Sequence, residues 1–213
     1  MDKPLLIIGA TSGIGKLTME GALARGKPVR AFARSAHDLQ DRDLLDCVAG
    51  DALKVEDVAG ALEGVDAVIV ALGIRERLAM LWEEERLFSD STAILLDEMK
   101  KAGVSRLLVV TGFGAGRSRS AMSAIERLGH GAVLGRVYAD KTRQEALVEA
   151  SGTDWTIARP VILTNRPASG RYKVLEDPSQ WRNGLISRAD VAAYLLDAAE
   201  QGWHMRQDVV LTR

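Results

Sequence analysis

Gly9-Ala10-Thr11-Ser12-Gly13-Ile14-Gly15-Lys16 stands between a short apolar run, Leu5-Leu6-Ile7-Ile8, and a stretch of helical character, Leu17 to Arg25. That order reads as strand, glycine-rich turn and helix N-terminus. Glycine lets backbone N–H groups meet a pyrophosphate with no Cβ in the way, and the helix dipole adds partial positive charge at the same place. In this context the G-x-x-x-G-x-G spacing predicts a dinucleotide site built on Gly9, Thr11, Ser12, Gly13 and Ile14. A tight turn that needs glycine only for its backbone angles is the plain alternative.

Composition agrees with an α/β enzyme. The 213 residues predict one domain, 1–213, with a small pocket-forming region over 161–213. Hydrophobic residues make up 47% of the chain, enough for a real core, and the formal net charge of −1 points to neither nucleic acid nor an anionic membrane. A lone cysteine, Cys47, excludes an intrachain disulfide framework, fits a reducing compartment, and reads as a core residue beside Val48. No signal-peptide pattern and no uninterrupted apolar span is visible, so the expectation is a soluble, cytoplasmic protein, monomeric or homodimeric. No His-x-x-His or Cys-x-x-Cys pair suggests a metal site, and no Gly-x-Ser-x-Gly elbow suggests a hydrolase.

Working outward, strand-like and helix-like segments alternate. Strands are expected at 5–8, 29–33, 47–49, 65–72, 106–111, 156–159 and 209–211, and helices at 13–24, 55–62, 87–102, 134–151 and 190–200. Short connections between alternating elements predict a Rossmann-like, doubly wound, mainly parallel sheet of about seven strands with helices on both faces. Two regions break the rhythm: glycine- and serine-rich Gly112 to Gly135, with a short helix expected near 121–128, and irregular Arg166 to Asn183. Both follow carboxyl ends of strands, where open α/β sheets place ligands. Plain surface loop is the other reading of both.

Arg34 closes the second strand, 19 positions beyond Gly15, with no carboxylate before Asp38. An acidic residue there would read the ribose 2′-OH of NAD, whereas arginine suits the 2′-phosphate of NADP. NADP(H) is therefore expected over NAD(H), a solvated surface arginine being the alternative. Asp51, beside Ala52, ends the third strand and could accept from the adenine amino group or cap the next helix. Small residues at Ala71-Leu72-Gly73 would let the backbone lie along the cofactor.

These motifs occur in one order with Val110-Thr111-Gly112, Thr156-Ile157-Ala158-Arg159-Pro160 and Leu185-Ile186-Ser187-Arg188-Ala189-Asp190-Val191-Ala192. The ensemble, which covers essentially the whole chain, resembles the atypical short-chain dehydrogenases/reductases: NmrA-like proteins, biliverdin reductase B and related NAD(P)H-flavin reductases. The resemblance implies a cofactor across the strand carboxyl ends, with Pro160 and Val161 near the nicotinamide. It also implies a catalytic hydroxyl at Thr111 and a Tyr and Lys four apart on one helix. Here the helix reads Val137-Tyr138-Ala139-Asp140-Lys141, so the tyrosine stands three before the lysine. Its ring is rotated by roughly 100° about the helix axis. Tyr138 is thus either the proton donor or a pocket-wall aromatic. Lys141 lies in an apolar stripe and calls for a polar partner, such as ribose hydroxyls, or for an opening to solvent.

The expected function is an NAD(P)H-dependent oxidoreductase passing a hydride to a small conjugated acceptor of flavin, quinone or bilin type, with Thr111, Tyr138 and Lys141 as candidate catalytic residues. Two alternatives stand beside it: a non-catalytic NAD(P)-sensing regulator of the NmrA kind, favoured by the Tyr/Lys spacing, and a protein like the nucleotide-sugar epimerases and dehydratases.

Overall fold

Five mainly apolar segments of the sequence become the first five strands of a sheet: Leu5–Ile8 (β1), Val29–Ala33 (β2), Leu45–Ala49 (β3), Ala67–Val70 (β4) and Arg106–Val110 (β5). The computed structural model describes residues 3–73 and 86–213, with 124–134 described as backbone only. Helices Gly13–Ala24 (α1), Val55–Leu62 (α2), Leu87–Ala102 (α3) and Ala124–Ala150 (α4) alternate with these strands. After them come Asp154–Pro160 (β6), Ile162–Thr164 (β7), Lys173–Leu175 (β8), Leu185–Ser187 (β9), Arg188–Gln201 (α5) and Gln207–Thr212 (β10).

The main sheet runs in the order β3-β2-β1-β4-β5-β6-β10-β8. Seven strands are mutually parallel and β8 joins the edge antiparallel to β10. The fold is the expected Rossmann-like α/β arrangement. β4 and β5 are buried along their whole length, which explains why they read as apolar runs, broken only by Arg106 at the start of β5. Alternate side chains feed two cores. Ile7, Ala31, Ile69 and Leu108 pack with Met19 of α1 and Val191 and Leu195 of α5. Leu6, Ile8, Val68 and Leu107 pack with Leu62 of α2, Met99 of α3 and Val148 of α4. Gly103 (φ +69°) and Gly202 (φ +66°) end α3 and α5 in the left-handed region, where a side chain would be strained.

The chain winds outward from β1 through β2 to β3, then crosses to β4 on the other side of β1. This reversal opens a crevice between the carboxyl ends of β1 and β4, the place where sheets of this class bind ligands.

Some expectations need correction. α4 begins at Ala124, so the short helix expected near 121–128 and the helix expected from 134 are one element, which takes in Gly129, Gly131 and Gly135. Each glycine disfavours helix by about 1 kcal/mol, a weak prior that a long helix overrides. The irregular 166–183 region contains β8, and a two-stranded parallel pair, β7 with β9, flanks it. Cys47 is half-buried on edge strand β3 rather than enclosed. Among the described residues no helix is long and apolar enough to cross a membrane.

Candidate active site

Two glycines shape the turn after β1 for different reasons. Gly13 has φ +55° and a Cβ there would meet nothing within 4 Å. Its requirement is conformational, and the space before it is open. Gly15 has an ordinary φ, but a Cβ would lie 2.8 Å from the Gly9 carbonyl carbon and nearer still to its oxygen. Its requirement is contact, and it seats α1 directly on the turn. The Ser12 side chain makes no capping bond to α1. The first-turn amides of a helix have no partners within it. Here they face the crevice together with the positive end of the α1 dipole.

Around this turn the structure gathers the predicted cofactor residues. Ser35 Oγ donates to Thr11 Oγ1 at 3.2 Å, so the end of β2 is tied to the glycine turn. Arg34, next to that tie, is exposed and makes no ion pair among the described residues. Ala71 N–H donates to the Ile8 carbonyl at 2.9 Å, which brings Ala71-Leu72-Gly73 against Gly9. Asp51 forms a local turn: its Oδ1 accepts from Leu53 N–H at 3.0 Å, and its own N–H donates to Asp57 Oδ2 at 2.8 Å. The carboxylate therefore caps a turn before α2, and among the described residues its second oxygen has no hydrogen-bond donor. Ala52 is buried in the α2-side core.

Further along the same carboxyl edge, β5 and β6 end side by side. Thr111 N–H donates to the Ala158 carbonyl at 3.0 Å, and Phe113 N–H donates to the Pro160 carbonyl at 3.0 Å. Val161 continues from there and donates to the Leu211 carbonyl at 3.1 Å. The buried face of α4 lies over this edge. Lys141 Nζ donates to the Thr111 carbonyl at 2.6 Å and sits 4.8 Å from the centre of the Phe88 ring of α3. Desolvation brings the ammonium down to about 8, against an opposing pull from Glu145 and Asp140. The Tyr138 phenol lies against Gly112, where a Cβ would come within 2.7 Å of its oxygen. Burial, then the Glu145 charge, push the phenol above its ordinary value. Both shifts favour the neutral form, the amine for Lys141 and the protonated phenol for Tyr138.

A buried ionic chain stands behind Thr111. Its Oγ1 donates to Glu145 Oε1 at 2.6 Å. Arg159, fully buried on β6, donates Nε to Glu145 Oε1 at 3.0 Å and Nη2 to Glu145 Oε2 at 2.8 Å. Arg159 also pairs with Asp208 of β10, which Arg117 grips from the surface. Burial alone would raise the Asp208 carboxyl, but Arg117 and Arg159 outweigh it and hold it below its ordinary value. Trp181 lies 5.0 and 5.1 Å from the two guanidinium carbons. Two carboxylates alternate with two guanidiniums, so no charge is buried alone. The sequence reading missed this chain, although an arginine inside the otherwise apolar 156–160 strand was a visible signal.

The structure therefore brings Gly9, Thr11, Ser12, Gly13, Ile14, Arg34 and Ala71-Leu72-Gly73 to one turn, and Thr111, Tyr138, Lys141, Pro160 and Val161 to the neighbouring edge. It does not leave Thr111 as a free donor, because its proton is committed to Glu145.

Comparison with known proteins agrees with this geometry. A family model described as NAD(P)H-binding matches residues 9–202. An uncharacterized chloroplastic protein of Arabidopsis thaliana is 29% identical over 93% of this chain and 72% of its own length. The protein named uncharacterized sugar epimerase YhfK of Bacillus subtilis is 25% identical over 92% of this chain and 88% of its own. Among solved structures, the anaerobilin reductase ChuY of Escherichia coli O157:H7 is 29% identical, with 98% of this chain and 96% of that one covered and a TM-score of 0.81.

Proposed function

The chain belongs to the NAD(P)H-binding family, and from that membership we propose that it is an NADPH-dependent reductase of a small conjugated acceptor, with a linear tetrapyrrole of bilin type as the favoured class. The reading rests most on one observation: the uncapped N-terminus of α1 opens onto the crevice between β1 and β4, on the same carboxyl edge as Lys141 and Thr111. The likeness to the anaerobilin reductase supports the acceptor class.

In this reading the α1 amides and the turn from Gly9 to Ile14 hold the pyrophosphate, and the Arg34 guanidinium takes the 2′-phosphate in a bidentate manner. Asp51 and Ala52 flank the adenine, and Ala71-Leu72-Gly73 lines the ribose and phosphates. Lys141 uses its remaining donors on the nicotinamide ribose, and Pro160 and Val161 support the ring. When bound, the nicotinamide supplies the hydride. The acceptor lies over the 161–213 region, where Ile162 and Leu185 face each other across β7 and β9, 57% and 51% exposed. An exposed apolar pair beside the cofactor suits a flat, conjugated molecule.

A regulator that binds NAD(P) without turnover is the second reading, favoured by the spacing of Tyr138 and Lys141 and by the raised phenol. An epimerase like its Bacillus subtilis relative's name would need that phenol as a working acid and base. NADPH oxidation with a panel of bilins, flavins and quinones tests the proposal. Turnover with a bilin is expected; none above background with any of them overturns it in favour of the regulator.

A further inference from the structure

We propose that Glu145 is the positioning residue of this site: acting through the Thr111 hydroxyl, it holds the end of β5 against α4 and so keeps the Lys141 ammonium seated on the Thr111 carbonyl. The kinetic consequences rest on the reductase reading above; the placement itself does not.

Three observations carry the inference. First, Glu145 cannot turn away. Its two oxygens are fixed by Nε and Nη2 of Arg159, which is itself anchored on Asp208. Second, the protein is packed to the carboxylate. A Cβ at Gly116 would collide with Glu145 Oε2, and Gly116 N–H donates to Thr142 Oγ1 at 3.0 Å, so the loop after β5 is fastened to α4 beside it. Third, a carboxylate gripped by a guanidinium is an acceptor only. The single Thr111 proton therefore points at Glu145, and the outward lone pairs of Thr111 Oγ1 can only accept. Thr111 would bind an N–H or O–H of a ligand, not a carbonyl. Pyrrole and lactam N–H groups of a bilin satisfy this; a quinone has none to offer.

The charge of Glu145 also bears on Lys141. The titratable groups facing that ammonium from α4 are Tyr138, Asp140 and Glu145. From α3 it meets the Phe88 ring, and from the β5 end it meets Thr111. Behind Glu145 stand Arg159 and Asp208. Asp140 is the other carboxylate near it, held by Phe88 N–H at 2.8 Å, Ser89 Oγ at 2.5 Å and the Arg143 guanidinium at 3.3 Å, and its pull on the ammonium is the smaller of the two. Glu145 is therefore the countercharge whose loss Lys141 would feel while its seat remains.

The test is a pH titration of Lys141 followed by carbon NMR at its Cε, assigned by loss of the signal in K141R, on the full chain without cofactor. Glu145→Gln keeps an acceptor for Thr111 but removes the charge, so the midpoint falls by about one pH unit, as expected for losing one nearby countercharge. Thr111→Val keeps the charge but cuts the tie, so the ammonium gains water and the midpoint rises towards the free-lysine value of about 10.4. Thr111→Ser restores the wild-type value. Opposite signs in the two variants establish the role; unchanged midpoints, or shifts of the same sign, overturn it. If E145Q fails to fold, the T111V and T111S pair decides alone. In a parallel kinetic arm, the basic limb of the pH profile of kcat/KM moves with the NMR midpoint. A wild type without turnover on any acceptor would refute the reductase reading and leave the titration to judge Glu145.

Discussion

Gly13→Ala and Gly15→Ala separate the two jobs of the glycine turn. At Gly15 the added methyl would lie 2.8 Å from the Gly9 carbonyl carbon, with backbone on both sides of the collision. α1 must recede by more than half an ångström, and overpacking of this kind costs about 3 kcal/mol at the upper end of its range. For a chain of this length that lowers Tm by roughly 6–12 °C. At Gly13 the methyl meets no atom within 4 Å, and the cost is the left-handed φ of +55°. That strain is about 1–2 kcal/mol, partly offset by the lower entropy of the unfolded chain, so Tm falls by only ~3 °C. The same methyl stands before the α1 amides, so NADPH affinity drops about tenfold, equivalent to ~1.4 kcal/mol. The assay is thermal unfolding with and without saturating NADPH, plus calorimetric titration. Ligand-induced stabilisation follows affinity, so G13A shows a near-native apo Tm with a reduced NADPH shift. The reasoning fails if G15A is as stable as the wild type, or if G13A binds NADPH with unchanged affinity.

Three further outcomes follow from the site. Arg34→Ala weakens NADPH by about tenfold or more, the loss of a charge-assisted contact, and leaves NADH unchanged; equal weakening of both in calorimetric titration would remove Arg34 from the 2′-phosphate. Tyr138→Phe keeps turnover within about threefold of wild type, whereas removal of a true general acid costs about a hundredfold or more. Lys141→Met stabilises the fold while abolishing tight cofactor binding. The folded lysine titrates at about 8, below its unfolded value, so its charge opposes folding at every pH below about 8. That opposition fades as pH rises from there towards the unfolded value. The gain in K141M, ~1 kcal/mol once partial exposure is discounted, is therefore present at pH 7 and absent at pH 11, as denaturant titrations at the two pH values would read.

How much of this was legible depends on how local each signal is. β1, α1, β2, α2 and α3 have the expected limits because an apolar run, a glycine or a cap marks each end. The crevice was legible for the same reason, since Gly9 to Gly15 carries its geometry within seven residues. β7 and β9 were not, because three residues are too few to show a period, and Ile162 meets Leu185 only across a long loop. The continuity of α4 between its two expected pieces, 121–128 and 134–151, was hidden by Gly129 and Gly131, which locally argue for a loop. Glu145 and Arg159 were each visible as charges in apolar company. That they find each other, and that Asp208 and Arg117 complete the chain, is a fact of tertiary packing between α4, β6 and β10.

The central claim is that this crevice delivers a hydride, beyond merely holding a dinucleotide. Incubation with NADPH deuterated at one face of nicotinamide C4, followed by mass spectrometry of the acceptor, reads that event directly. One deuterium delivered as deuteride to the bilin and retained in the reduced product, from one face only, is the predicted result; NADPH bound tightly with no deuterium in any acceptor would contradict it.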